Sequence, residues 1–152
     1  IYSYSALDIV VSELNWAGMT GYTGREWIEL YNNTGSPIKL DGWKLRINDT
    51  YTYLSGTIPA GGYFLMERSN DDAVPEKSAD FIYSTQLANS GALVEIIRRG
   101  SVIDQLDMAA GWAAGSSSPY LSMERITKTL DGSPTNWQNG ADATSGAHNS
   151  AD

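Results

Sequence analysis

The run Glu26-Trp27-Ile28-Glu29-Leu30-Tyr31-Asn32 constrains this chain more than any other stretch. Branched and aromatic side chains dominate it, and Gly24 and the turn cluster Asn33-Thr34-Gly35-Ser36-Pro37 bound it. That composition between turn signals predicts a strand. On a pleated backbone Ile28 and Leu30 share a face with Glu26, and Trp27, Glu29 and Tyr31 share the other. Neither face is wholly polar, so the strand belongs inside a sheet. The two glutamates point to opposite faces, which removes them as an acid pair on one substrate.

The rest of the chain follows the same cadence. Ile9 to Leu14 reads as a strand, and Trp43 to Asn48 alternates with Trp43, Leu45 and Ile47 on one side. Tyr51 to Leu54, Tyr63 to Met66, Ala92 to Ile97, Val102 to Leu106 and Tyr120 to Ile126 add further short strands. Gly100 supplies the left-handed position of a hairpin between two of them. Glu67 to Asp80 reads as a long charged loop, and the chain from Thr127 onward as loop with Trp137 its only large anchor. No 11-residue window carries a helical period. Short strands with polar outer faces and frequent turns predict an all-β chain with very little helix, folded as a sandwich of two mainly antiparallel sheets.

Composition narrows the chemistry. The chain has no Cys and a single His, so thiolate metal sites and cysteine nucleophiles are excluded. His148, in a polar tail, lacks the company that a triad or a zinc site needs. A formal charge of −8, with Arg98-Arg99 the one adjacent basic pair, argues against nucleic acid as a partner. No apolar run approaches the roughly 18 residues of a membrane span. The sequence begins at Ile1 rather than Met, and the expectation is a fragment or processed form.

Few residues are left to carry function. Trp16 and Tyr22 in the loop Asn15 to Arg25, and Trp112 in the loop Asp107 to Pro119, are the candidate ligand-binding aromatics. They either form an exposed platform for sugar or peptide, or fold back as caps over the sandwich. No catalytic, cofactor-binding or metal-ligating residue is expected. Calcium in the loops around Asp49, Asp71 and Asp72 is the alternative, although no Asp-x-Asp-x-Asp-Gly run occurs. Glu13 and Arg125 are expected to pair across the first and last strands. Asn32-Asn33-Thr34 and Asn48-Asp49-Thr50 match the glycosylation sequon, read as chance.

Several short motifs in a fixed order resemble the lamin tail domain family, in particular its bacterial members. They are Val11-Ser12-Glu13-Leu14 with Trp16, Glu26 to Asn32, and Ile38-Lys39-Leu40-Asp41-Gly42-Trp43. Then come Ile58-Pro59-Ala60-Gly61-Gly62-Tyr63, Leu87-Ala88-Asn89-Ser90-Gly91, Val102-Ile103-Asp104, Ser122-Met123-Glu124-Arg125 and Gly146-Ala147-His148-Asn149. The resemblance covers about residues 9–149, leaving 1–8 as a lead-in and 150–152 as a tail. It implies an immunoglobulin-like fold and no shared catalytic residues. It also implies a non-enzymatic extracellular or cell-surface module of a larger secreted bacterial protein, binding protein or wall polymer through loops. The alternative is a targeting module fused to a hydrolase or nuclease outside these residues.

Overall fold

In the computed structural model, which describes residues 3–75 and 77–142, the strand read first from the sequence lies deep within a sheet. β2 (Trp27–Asn32) runs antiparallel between β1 (Ile9–Asn15) and β7 (Tyr63–Arg68). β8 (Phe81–Tyr83) extends this large sheet beyond β7 as its parallel neighbour. On the other side β1 pairs with β12 (Tyr120–Arg125), which also carries β11 (Ser116–Ser117) and β13 (Trp137–Asp142). The small sheet has the order β10-β9-β4-β5, built from β4 (Trp43–Ile47), β5 (Thr50–Tyr53), β9 (Ala92–Arg98) and β10 (Ser101–Met108). β3 (Ile38–Lys39) and β6 (Thr57–Ile58) form a two-stranded ribbon. The two main sheets make an immunoglobulin-like β-sandwich, and the single helical turn among the described residues is Pro134–Asn136.

The core lies between the sheets. Ile28 and Leu30 from β2 meet Trp43, Leu45 and Ile47 from β4 and Val94 and Ile96 from β9, all buried. Strand periodicity puts them there, since each is every second residue of its strand. β1 departs from that rule. A bulge between Val11 and Glu13 lets Val11 and Leu14 both enter the core although three positions separate them. The β9–β10 turn has both Arg99 (φ 48°) and Gly100 (φ 80°) left-handed, as a two-residue hairpin requires.

A second, smaller apolar cluster sits on the outer face of the large sheet. Trp27 and Leu65 are covered there by Ala73 and Val74 from the loop 69–80. The loop read as merely charged therefore acts as a lid over two strands.

Three sequence expectations need correction. Arg125 pairs with Asp104 of β10, not with Glu13: Nη1–Oδ2 is 2.8 Å and Nη2–Oδ1 is 2.9 Å. The register explains why. Glu13 stands opposite Glu124, so it shares that residue's face, and Arg125 points the other way, between the sheets. The chain after Thr127 is not all loop, because β13 adds to β12. Its Gln138, Asn139 and Gly140 show no apolar alternation that would mark a strand, although Gln138 donates its side-chain amide to Glu124 across the ladder at 3.2 Å. Finally, the lead-in holds Tyr4 edge-on to Trp43 with ring centroids 5.2 Å apart, and Leu7 donates its N–H to Ile103 O at 2.7 Å. Asn32, first residue of a sequon, is fully buried and its amide donates to Ser36 O and Ile58 O, which leaves no room for a glycan. His148 lies outside the described residues.

Candidate functional site

The loops that carry the candidate aromatics gather at one end of the sandwich. The loop after β1 folds on itself through reciprocal Met19 and Tyr22 backbone bonds, and Asn15 accepts two backbone N–H groups from Ala17 and Gly18. Gly18 is left-handed at φ 81°, and an added Cβ would strike the Thr23 backbone, so this turn has one shape. Trp16 is thereby swung inward. It is 9% exposed, donates Nε1–H to Ala114 O at 2.9 Å, and stacks on Trp112 with centroids 6.1 Å apart and planes 6° from parallel. Trp112 donates its own Nε1–H to Ala88 O at 2.8 Å. The two tryptophans join three loops and close the end of the core.

Tyr22 does the opposite. It is 56% exposed, with the Arg25 guanidinium 3.7 Å above its ring centroid. The pair borders a cleft of about 410 Å³ completed by Gly24, Arg68, Ser69, Asn70 and Asp72. Asp72 approaches Arg25 at 3.6 Å. A second cleft of about 530 Å³ shares Gly24 and Arg68 and is lined by Thr23, Glu26, Gln86, Ala88 and Asn89. The structure therefore separates the three candidates: Trp16 and Trp112 cap the fold, and Tyr22 alone faces solvent.

Beneath the shared wall is a carboxyl group that periodicity placed on the face of Ile28 and Leu30 but left without a partner. Glu26 is buried, accepts the Leu87 N–H at 2.7 Å, and pairs with Arg68 at 3.2 Å. Burial pushes its carboxyl up to about 7, against the opposing pull of the Leu87 N–H and Arg68. The Tyr83 hydroxyl, close to Glu26 and fully enclosed, is pushed well up by burial and stays neutral. On the lid side, burial and a hydrogen bond to Asp71 push the Glu67 carboxyl up to about 8. Two carboxyl groups can bond only through a shared proton, and the same bond holds Asp71 below its ordinary range. Glu67 also accepts the Val74 N–H at 2.5 Å, and Asp71 accepts the Ala79 N–H at 2.8 Å.

Asp71 is thus engaged within its own loop, Asp72 faces Arg25, and Asp49 lies in the β4–β5 turn on the other sheet. Among the described residues, no group of three or more acidic or histidine side chains could hold a metal ion. The buried pairs were missed because their partners are distant in sequence, as with Glu26 and Arg68, or lie within one polar loop.

A double-layered fold with a capped loop end, an open aromatic beside that cap and buried structural charges defines an immunoglobulin-like module. Residues 3–110 match the Lamin Tail Domain family model, so this chain belongs to the lamin tail domain family, a family of β-sandwich interaction and structural modules. No curated protein matches the chain. The matched stretch ends before β12, yet β12 is the strand on which β1 leans, so the sheet is completed by residues beyond it.

Proposed function

We propose that this domain is a non-catalytic extracellular interaction module of a larger secreted or cell-surface bacterial protein. It holds a protein or wall polymer at the loop end through Tyr22, Arg25 and the cleft beside them. The observation that carries the reading is the exposure of Tyr22 under a stacked guanidinium, at a loop end whose other aromatics are packed away. A flat aromatic offers its face to a sugar ring or a planar peptide group, while Arg25, Asn70 and Asp72 offer hydrogen bonds around it. Such loops on a rigid sandwich are the usual place for binding. Family membership supports an interaction role rather than chemistry, and the resemblance to bacterial members supports the location. A catalytic domain elsewhere in the same protein would make this module its targeting arm.

Co-sedimentation with purified bacterial wall material tests the idea. The domain should pellet with the wall, and Tyr22→Ala with Arg25→Ala should stay in the supernatant with an unchanged melting temperature. Equal retention of both proteins, or turnover of a glycoside, ester or phosphodiester by the isolated domain, sinks the proposal.

A further inference from the structure

β5 ends the small sheet, and among the described residues only β4 pairs with it. Leu54 donates its N–H to Trp43 O at 3.0 Å. In an antiparallel ladder residues alternate between bonding their partner and facing away. Counting back from Leu54, Tyr51 and Tyr53 direct their N–H and C=O groups outward. Sheet edges are ordinarily guarded by a charge, a proline or a bulge. Thr50-Tyr51-Thr52-Tyr53 has none of these and consists of strong strand formers. The opposite edge is covered: Leu7 N–H bonds Ile103 O, and Gly132 lies so close to Gln105 O that a Cβ would collide with it.

The side chains on this edge are equally open. Tyr51 is 49% and Tyr53 70% exposed. Lys44, opposite Tyr53 on β4, leans over both, its Nζ lying 5.2 Å from the Tyr53 centroid and 5.6 Å from that of Tyr51. No ion pair forms at Lys44 among the described residues. Arg46 differs, because Glu95 holds it at 2.8 Å and Asn48 O accepts its Nε–H at 2.6 Å. Glu95 is thus taken up by Arg46 and by the Gln105 amide, and the Lys44 ammonium stands above the edge without an ion pair among the described residues.

We propose that β5 takes up an extended acidic peptide as an additional strand, its backbone bonded to Tyr51 and Tyr53 and a carboxylate seated on Lys44. Residues opposite the two tyrosines project to the same face as their rings, so carboxylates at alternate positions reach the ammonium. The chain's charge of −8 opposes an acidic partner at long range. At physiological salt that field is screened over about 8 Å, and the local cation decides. A second copy is the weaker occupant: the shared edge is four residues long, and pairing brings together two chains of charge −8 and two Lys44 side chains. This edge lies outside the loop-end surface and stands without it.

Titrating the ¹⁵N-labelled domain with a synthetic peptide of alternating Thr and Glu tests the proposal, with the Thr–Lys counterpart as control. Saturable amide shifts centred on Tyr51 and Tyr53 are expected with the Glu peptide only. Lys44→Glu should weaken them on the order of tenfold. Tyr51→Pro removes an N–H that faces away from β4, so it should abolish binding while leaving the melting temperature close to that of the parent. A Glu peptide methylated on alternate backbone nitrogens should fail against the unaltered domain. Absence of saturable shifts, equal binding of the Lys peptide, or binding that survives Tyr51→Pro or N-methylation overturns it. So does dimerisation through β5 without peptide, which assigns the edge to a second copy.

Discussion

The two outer faces of this sandwich treat charge in opposite ways. On the large sheet Glu13, Glu29 and Glu67 are fully buried. Ser122 donates its hydroxyl to Glu13 and Ser12 donates to Glu29, each at 2.6 Å, while the loop 69–80 covers Glu67. On the small sheet Tyr51, Tyr53 and Val102 stand open to solvent, and Lys44 lies across the two tyrosines. Both faces alternate apolar with polar residues in the sequence. The difference teaches that alternation reports which side of a strand faces the core, and says nothing of whether the other side is wet. Covered carboxylates must be neutralised or paired, and that need makes the large sheet structural. On the open face that need is met at one place, where Glu95 is buried against Arg46 and Gln105, and the strip of Tyr51, Tyr53 and Lys44 beside it is free to meet a partner.

The sharpest way to break the comparison is to remove a buried charge. Arg125→Ala leaves Asp104 unpaired between the sheets, and frees the Val11 and Leu130 carbonyls that the guanidinium satisfies. Unfolding in urea should show a loss of about 3 to 5 kcal/mol. Replacing both partners, as Asp104→Leu with Arg125→Met, should recover much of it, because two apolar groups need no pairing. A single variant as stable as the parent would mean the pair contributes nothing and that this charge belongs with the exposed ones.

How far the sequence foretold these features follows from the range of the interactions. Strand positions and the core face were readable, because Trp43, Leu45 and Ile47 or Ile28 and Leu30 obey a period that extends over a few residues. The bulge at Ser12 was hidden, since it breaks that period by a single position. β13 was hidden too, since Gln138-Asn139-Gly140 carries no apolar alternation that marks a strand. At the candidate site, exposure of Tyr22 and burial of Trp16 depend on how one short loop turns at Gly18. Nothing in the composition of that loop decides which aromatic goes inward. The partners Asp104 for Arg125 and Arg68 for Glu26 are set by sheet register, a property of the whole fold.

A smaller effect sharpens the contrast through pH. The Glu67 carboxyl is raised from 4.5 to about 8 in the folded chain. Between those two values the folded state holds a proton that the unfolded state has released. Stability must therefore be greatest below about pH 4.5 as far as this group is concerned, and must fall as pH rises toward about 8. Glu26, raised to about 7, acts in the same sense over a narrower window. Together they should lower stability by on the order of a few kcal/mol across that range. Glu67→Gln keeps the acceptor for the Val74 N–H and supplies a permanent donor to Asp71, so it should flatten the profile and stabilise the domain most near pH 8. A steeper profile in that variant would show that the lid is not held by a shared proton.

The least perturbing change falls on the other face. Among the described residues Lys44 has no ion-paired carboxylate to lose, and its ammonium lies over two tyrosine rings beyond 5 Å. Lys44→Ala should alter unfolding free energy by less than about 0.5 kcal/mol at any pH from 5 to 8. The same substitution should remove the preference for the Thr–Glu peptide over its Thr–Lys counterpart. Those two results belong together: a half-buried charge without an ion pair among the described residues can be dispensed with by the fold, and its effect then shows only in binding. If Lys44→Ala instead destabilised the domain as Arg125→Ala does, the open face would be structural after all, and the contrast between the two sheets would fail at the place where it is expected to be clearest.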